Sequence, residues 1–163
     1  MLLVLVLAFA GTASADTTEV KIPKQGWAIS FDAPALSDKK ESKKSGDFAF
    51  AANSHRFNIS LFVEKPRGSG TTNRDWYEYY WSRGSTNPMI DKRSVSFSET
   101  DKYARVQYDI VTTFQGKPFR MTNVNYYFIF RDRWVDVHIS VSDPRPEDDQ
   151  IFKTFDASLS YGP

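Results

Sequence analysis

The sequence predicts an α+β fold: a central antiparallel β-sheet with helices packed on its faces, an α/β/α sandwich. Two observations carry this. From Ser94 to Val141 the chain reads as successive strands with period-2 alternation and tight turns between them. Helix start signals occur twice, at Thr72 and at Asp143–Asp148, so strands and helices are segregated rather than alternating.

The first fifteen residues read as a leader. Leu2 to Ala10 is an apolar run, followed by Gly11, Thr12 and Ala13-Ser14-Ala15, a small-residue cleavage pattern. The run is shorter than the roughly 20 residues a spanning helix needs. A single domain over residues 16–163 is expected to follow. No later apolar run predicts a membrane span.

Trp27-Ala28-Ile29-Ser30-Phe31 alternates large and small residues and predicts a half-buried strand. Asp32 to Gly46, with Lys39-Lys40 and Lys43-Lys44, reads as an exposed loop. Phe48–Ala52 and Arg56–Glu64 read as a hairpin around Asn53-Ser54-His55. In the second strand Phe57, Ile59, Leu61 and Val63 share a face.

Thr72-Asn73-Arg74-Asp75 has the form of a capping box with Asp at its last position. It opens a short helix carrying Trp76, Tyr77, Tyr79, Tyr80 and Trp81, which Gly84 is expected to end in a left-handed conformation. Ser94–Ser98 is a short strand, and Tyr103–Phe114 a longer one. Gln115 to Pro118 is a turn before the long strand Phe119–Arg131. Trp134–Val141 is the last strand, with Val135, Val137, Ile139 and Val141 on one face and Trp134, Asp136, His138 and Ser140 on the other. In the closing helix Ile151, Phe152, Phe155 and Leu159 form an apolar stripe.

Composition removes several classes of function. With no cysteine there is no disulfide, no thiolate metal site and no cysteine nucleophile. The 21 basic residues nearly cancel the 20 acidic ones, which argues against an electrostatic nucleic-acid binder. With 13 Phe, 8 Tyr and 4 Trp, the chain has enough aromatic surface to build a core without cross-links.

Gly26 to Pro34 as an opening strand, the Trp76–Trp81 helix, the long strands from Tyr103 to Val141 and the closing Ile151–Phe155 helix together resemble the PsbP-like superfamily. The resemblance covers most of the predicted domain and is architectural. It implies a central antiparallel sheet with helices on both sides, and binding or chaperone-like roles more than catalysis. No residue here specifies a photosystem or Ran contact, so neither partner is carried over.

The candidate sites are few. Five aromatics within six helical positions exceed what one apolar stripe buries, so Trp76, Tyr79 and Tyr80, with Arg74 and Arg83, form the candidate binding surface. The alternative is that they pack against the hairpin or the loop after Gly84. Asp136, His138 and Ser140 suggest a nucleophile triad. Residues two apart on a strand are about 6.7 Å apart, however, and three in a row converge poorly on one substrate. His55, Asp136 and His138 are the only candidate metal ligands, and they require two distant strands to meet. No phosphate loop and no G-x-S-x-G elbow is present.

The expectation is therefore a periplasmic or secreted, non-enzymatic binding module without a cofactor. It would contact a protein partner or a small apolar ligand. The alternative is an exported hydrolase or metal-dependent enzyme using His138 and Asp136.

Overall fold

The computed structural model describes residues 15–163. Of the leader expected over residues 1–15, all but Ala15 lies outside the described residues, and Ala15 begins a strand. The described chain runs β1 (Ala15–Ile22), β2 (Trp27–Pro34), β3 (Ser37–Lys44), β4 (Asp47–Ser54), β5 (Phe57–Glu64), α1 (Asn73–Gly84), β6 (Ile90–Glu99), β7 (Ala104–Phe114), β8 (Lys117–Phe130), β9 (Arg133–Ser142), a single 3-10 turn (Pro146–Asp148), α2 (Asp149–Ser158) and β10 (Ser160–Gly162).

β3 to β9 form one antiparallel sheet of seven strands, in the order β3-β4-β5-β9-β8-β7-β6. A second sheet, β1-β2-β10, stands apart from it. Tight turns set the register. Both loop residues have positive φ at Ser45-Gly46, Gln115-Gly116 and Arg131-Asp132, as two-residue hairpin turns require to match strand twist.

The two faces of the large sheet build different cores. Phe48, Phe50, Phe57, Ile59, Leu61, Val137 and Ile139 point to one side. There they meet Ile29 and Phe31 of the small sheet and Phe152 and Phe155 of α2. On the other side α1 packs Trp76 against Ala104, Val106, Tyr127 and Trp134. The predicted α+β sandwich is observed, with a second sheet sharing the layer of α2.

Polar ties fix α2 to the sheet. Arg56 grips Asp148 with two hydrogen bonds of 2.7 and 2.8 Å and also donates to the carbonyls of Ser142 and Asp143. Burial alone would raise the Asp148 carboxyl. The Arg56 guanidinium and the Arg145 amide outweigh it and hold the group below the usual carboxylate range. Tyr126 donates to Asp156 Oδ1 at 2.6 Å, which Arg105 also contacts at 2.9 Å.

Several local expectations are corrected. Asp32–Gly46 is not a loop, since β3 lies within it. Every β3 residue is exposed, because the strand is an edge with neither face covered, and so it has no apolar alternation. Its lysines suit an edge that must not pair with another chain. β6 is twice the expected length. A register shift between Asp91 and Ser96 breaks its alternation. Gly84 is the last residue of α1 and not a left-handed cap. Ser85 closes the helix in right-handed geometry, and Thr86 Oγ1 donates to Arg83 O at 2.6 Å.

The start of α1 is as predicted. Asp75 N donates to Thr72 Oγ1 at 3.1 Å, and Thr72 N donates to Asp75 Oδ2 at 3.0 Å. Gly70 is needed beside it, because a Cβ there would lie 2.5 Å from that of Asp75.

Candidate functional site

The aromatic helix is committed to packing. Trp76 is 0% exposed, which corrects the expectation that it faces a partner. Its Nε1 donates to Val135 O at 2.7 Å, and its ring lies 4.2 Å from that of Trp134. Tyr80 donates its hydroxyl to Glu64, and burial, then that carboxylate, raise its own ionisation. Tyr79 is half-buried between Trp134 at 5.3 Å and the Arg83 guanidinium at 4.2 Å. Arg74 pairs with Glu78 at 2.9 Å and reaches Glu99 at 3.6 Å. The five candidates are brought together, but each has its partner within the chain. β6 and the wide sheet surface give the surplus aromatics more to cover than one stripe.

α1 covers only part of its face. It rests on β7 and β8 and reaches β5 at Glu64 and β9 at Trp134 and the Val135 carbonyl. Beyond that end the face is open over β4 and β5, where Ala51, Asn58 and Phe62 are exposed, while toward β9 and β8 Ser140, Asn123 and Asn125 are buried. The register places Ala51 beside Ser60, Ser60 beside His138, and His138 beside Asn125. One step along lie Asn58, Ser140 and Asn123. One step the other way lie Ala49, Phe62 and Asp136. Phe62 is 47% exposed and has no cover.

This floor is polar and internally bonded. His138 Nε2 lies 3.0 Å from Asn123 Oδ1, and its Nδ1 lies 3.4 Å from Ser60 Oγ. The Asn123 amide donates to Met121 O at 2.9 Å, which leaves its oxygen to accept from the histidine. Burial lowers the imidazole to about 4, so it is neutral at pH 7. Asp136 accepts from Asn125 Nδ2 at 2.9 Å, and Asn125 accepts from Tyr108. Burial pushes the Asp136 carboxyl up to about 7, since Asn125 offsets it only in part and Glu64 adds repulsion. The same burial, then Asp136, push the Tyr108 hydroxyl up to about 12.

A concavity of about 300 Å³ lies over this floor. Ser60, His138, Ser140 and Asn58 form its base, and Asp38 and Lys40 of β3 rise at its side. A second hollow continues along Ala49, Phe62 and Ser42. Small residues at 49, 51, 60 and 140 keep the trough open.

The predicted triad is not assembled. His138 bonds Ser60 and Asn123 on the neighbouring strands, not Asp136 or Ser140 on its own. His55 sits in the β4–β5 turn with φ 48°, five residues from Ser60, so roughly 16 Å along the strand from the His138 row. Among the described residues no three His, Asp or Glu side chains come together to hold a metal. Sequence reading missed Ser60, Asn123 and Asn125. The available signal was their alternation with buried apolar residues on central strands, which sets a row of hydrogen-bonding side chains on one face; Asn123 and Asn125 are themselves buried.

No family model matches the chain, and no curated protein matches it. Solved structures do. LpqN of Mycobacterium tuberculosis, described as involved in cell envelope biogenesis, superposes with a TM-score of 0.55 at 11% identity, over 91% of this chain and 92% of that one. A structure from Bacteroides thetaiotaomicron aligns over 83% of this chain at 14% identity with a TM-score of 0.44. The chain spans 45% of that protein's length. The LpqN likeness establishes the fold, a type the sequence resemblance anticipated. Among the described residues no helix is long and apolar enough to cross a membrane.

Proposed function

We propose that the protein is an exported cell-envelope binding module that holds its ligand or partner on the open half of the seven-stranded sheet. The observation that carries this is the trough itself. A sheet face left without a helix over Phe62, Ala51, Ser60 and His138 is where a further layer fits. Of the two occupants expected from sequence, a protein partner or a small apolar ligand, the polar floor favours one that offers hydrogen-bonding groups. The leader pattern and the LpqN fold support an envelope setting.

The test has two arms. Cell fractionation with N-terminal sequencing is expected to find the protein outside the cytoplasm, beginning at Asp16. A photo-reactive residue at Ala51 is expected to form a cross-link in the native envelope, while one at Lys21 on the far sheet does not. Cytoplasmic protein, or equal cross-linking at both positions, contradicts the reading.

A hydrolase is the second reading, and the Ser60–His138–Asn123 row is its one favourable observation. Two facts weigh against it. An imidazole near 4 is a weak base at neutral pH. The backbone amides of the inner strands β5, β9 and β8 are engaged in ladders on both sides and offer no oxyanion donors. A fluorophosphonate probe is expected to leave Ser60 unlabelled, and labelling lost in Ser60→Ala would restore the enzyme reading.

A further inference from the structure

The β7–β8 hairpin outruns its neighbours. β6 stops pairing with β7 at Ile110, and β9 stops pairing with β8 at Met121. Val111 N still donates to Met89 O and Asp143 N to Arg120 O, but beyond them residues 112–119 pair only with each other, through Thr112–Phe119, Thr113–Pro118 and Phe114–Lys117. This ribbon projects roughly 10 Å past the sheet. An isolated two-stranded ribbon is marginal in water and has no core in which to bury apolar residues. Yet three of the molecule's exposed large apolar side chains gather here: Phe114 at 64%, Val111 at 48%, and Met89, whose carbonyl accepts from the Val111 amide, at 43%.

Their arrangement narrows the occupant. Phe114 and Val111 are three residues apart on one strand, so they point to opposite faces. Phe119 lies 6.4 Å from Phe114 on the same face. At the tip Gly116 has φ 76°, and a Cβ there would meet nothing within 4 Å. Phe114 and Phe119 stand on one face beside the tip and Val111 on the other at its base, which suits a fluid apolar layer that closes around the ribbon rather than one wall of a protein groove. The charge on the arm is of one sign. It carries Lys117 and Arg120 and no acid, while the acids Asp91 and Asp109 lie at its base. Arg120 pairs with Asp109 and Arg93 with Asp91, yet their side chains remain 61% and 91% exposed.

We infer that the 111–120 arm is a membrane-contact element that dips its tip into the surface of an anionic lipid bilayer. Interfacial elements bury apolar groups about 5–10 Å deep, within the arm's reach. Cations near the surface add attraction to anionic headgroups. This inference is independent of the trough on the sheet face.

Co-sedimentation of the full chain with vesicles tests it. The protein is expected to bind phosphatidylcholine vesicles containing phosphatidylglycerol and to stay free of pure phosphatidylcholine. Phe114→Ser, at an exposed tip that does not threaten the fold, is expected to weaken partitioning about tenfold. Lys117→Glu is expected to weaken it roughly fivefold or more. Three results would overturn the inference: no binding to either vesicle, equal binding by wild type and Phe114→Ser, or a lipid-independent dimer that Phe114→Ser dissolves, which would give the arm to a second copy.

Discussion

His138 donates from Nε2 to Oδ1 of Asn123 across 3.0 Å, so a residue on a neighbouring strand sets the histidine's tautomer. The Nδ1 lone pair is left toward Ser60. Nitrogen NMR of the imidazole is expected to show a single Nε2–H tautomer from pH 8 down to about 4. Asn123→Ala should mix the tautomers without unfolding the sheet, at a cost of about 1–2 kcal/mol. A pure Nε2–H signal in that variant would mean that Asn123 does not orient the ring.

His138 and Asp136 titrate in opposition on one strand face. Burial depresses His138 from its ordinary 6.5 to about 4. Between those values the unfolded chain binds the extra proton, so this group's contribution is full above about 6.5 and is lost as pH falls. Burial raises Asp136 from 3.8 to about 7. Over that interval the folded chain holds the extra proton, so its contribution is full below about 4 and is lost as pH rises. Asp136→Asn is therefore expected to stabilise the protein above pH 7, by up to about 4 kcal/mol, and to change little near pH 4. Urea unfolding at stepped pH measures this, and a variant less stable than wild type at pH 8 would contradict it.

Trp76 is structural. Trp76→Ala is expected to cost about 3–5 kcal/mol through the cavity left beside Trp134 and Tyr127. Trp76→Phe should cost less, about 1–2 kcal/mol, for the lost hydrogen bond to Val135 O. Denaturant midpoints read both. Tyr79→Ala exposes the Trp134 ring and should cost less than Trp76→Ala.

The legible parts of the sequence were those where local chemistry decides the outcome. The Thr72–Asp75 box, the His55 turn and the alternation of Val135, Val137, Ile139 and Val141 all appear where their pattern places them. β3 was illegible because an uncovered edge strand imposes no apolar period. The site was illegible for a different reason. Period 2 places Asp136, His138 and Ser140 on one face, but it does not say which strands flank β9. His138 therefore meets Ser60 and Asn123, which are 78 and 15 residues away in sequence. Trp76 was misplaced because counting aromatics on a helix ignores how wide a sheet receives them.

The proposed function sits on the open sheet face and not on the aromatic helix. Native mass spectrometry of the protein isolated from its own envelope tests this most directly, comparing wild type, Ala51→Trp and the Tyr79→Ala/Arg83→Ala pair. Ala51 is exposed on β4, so a tryptophan there fills the trough without straining the core. The expected result is a co-isolated molecule that Ala51→Trp loses and the helix pair retains. Retention by Ala51→Trp with loss in the helix pair would contradict it.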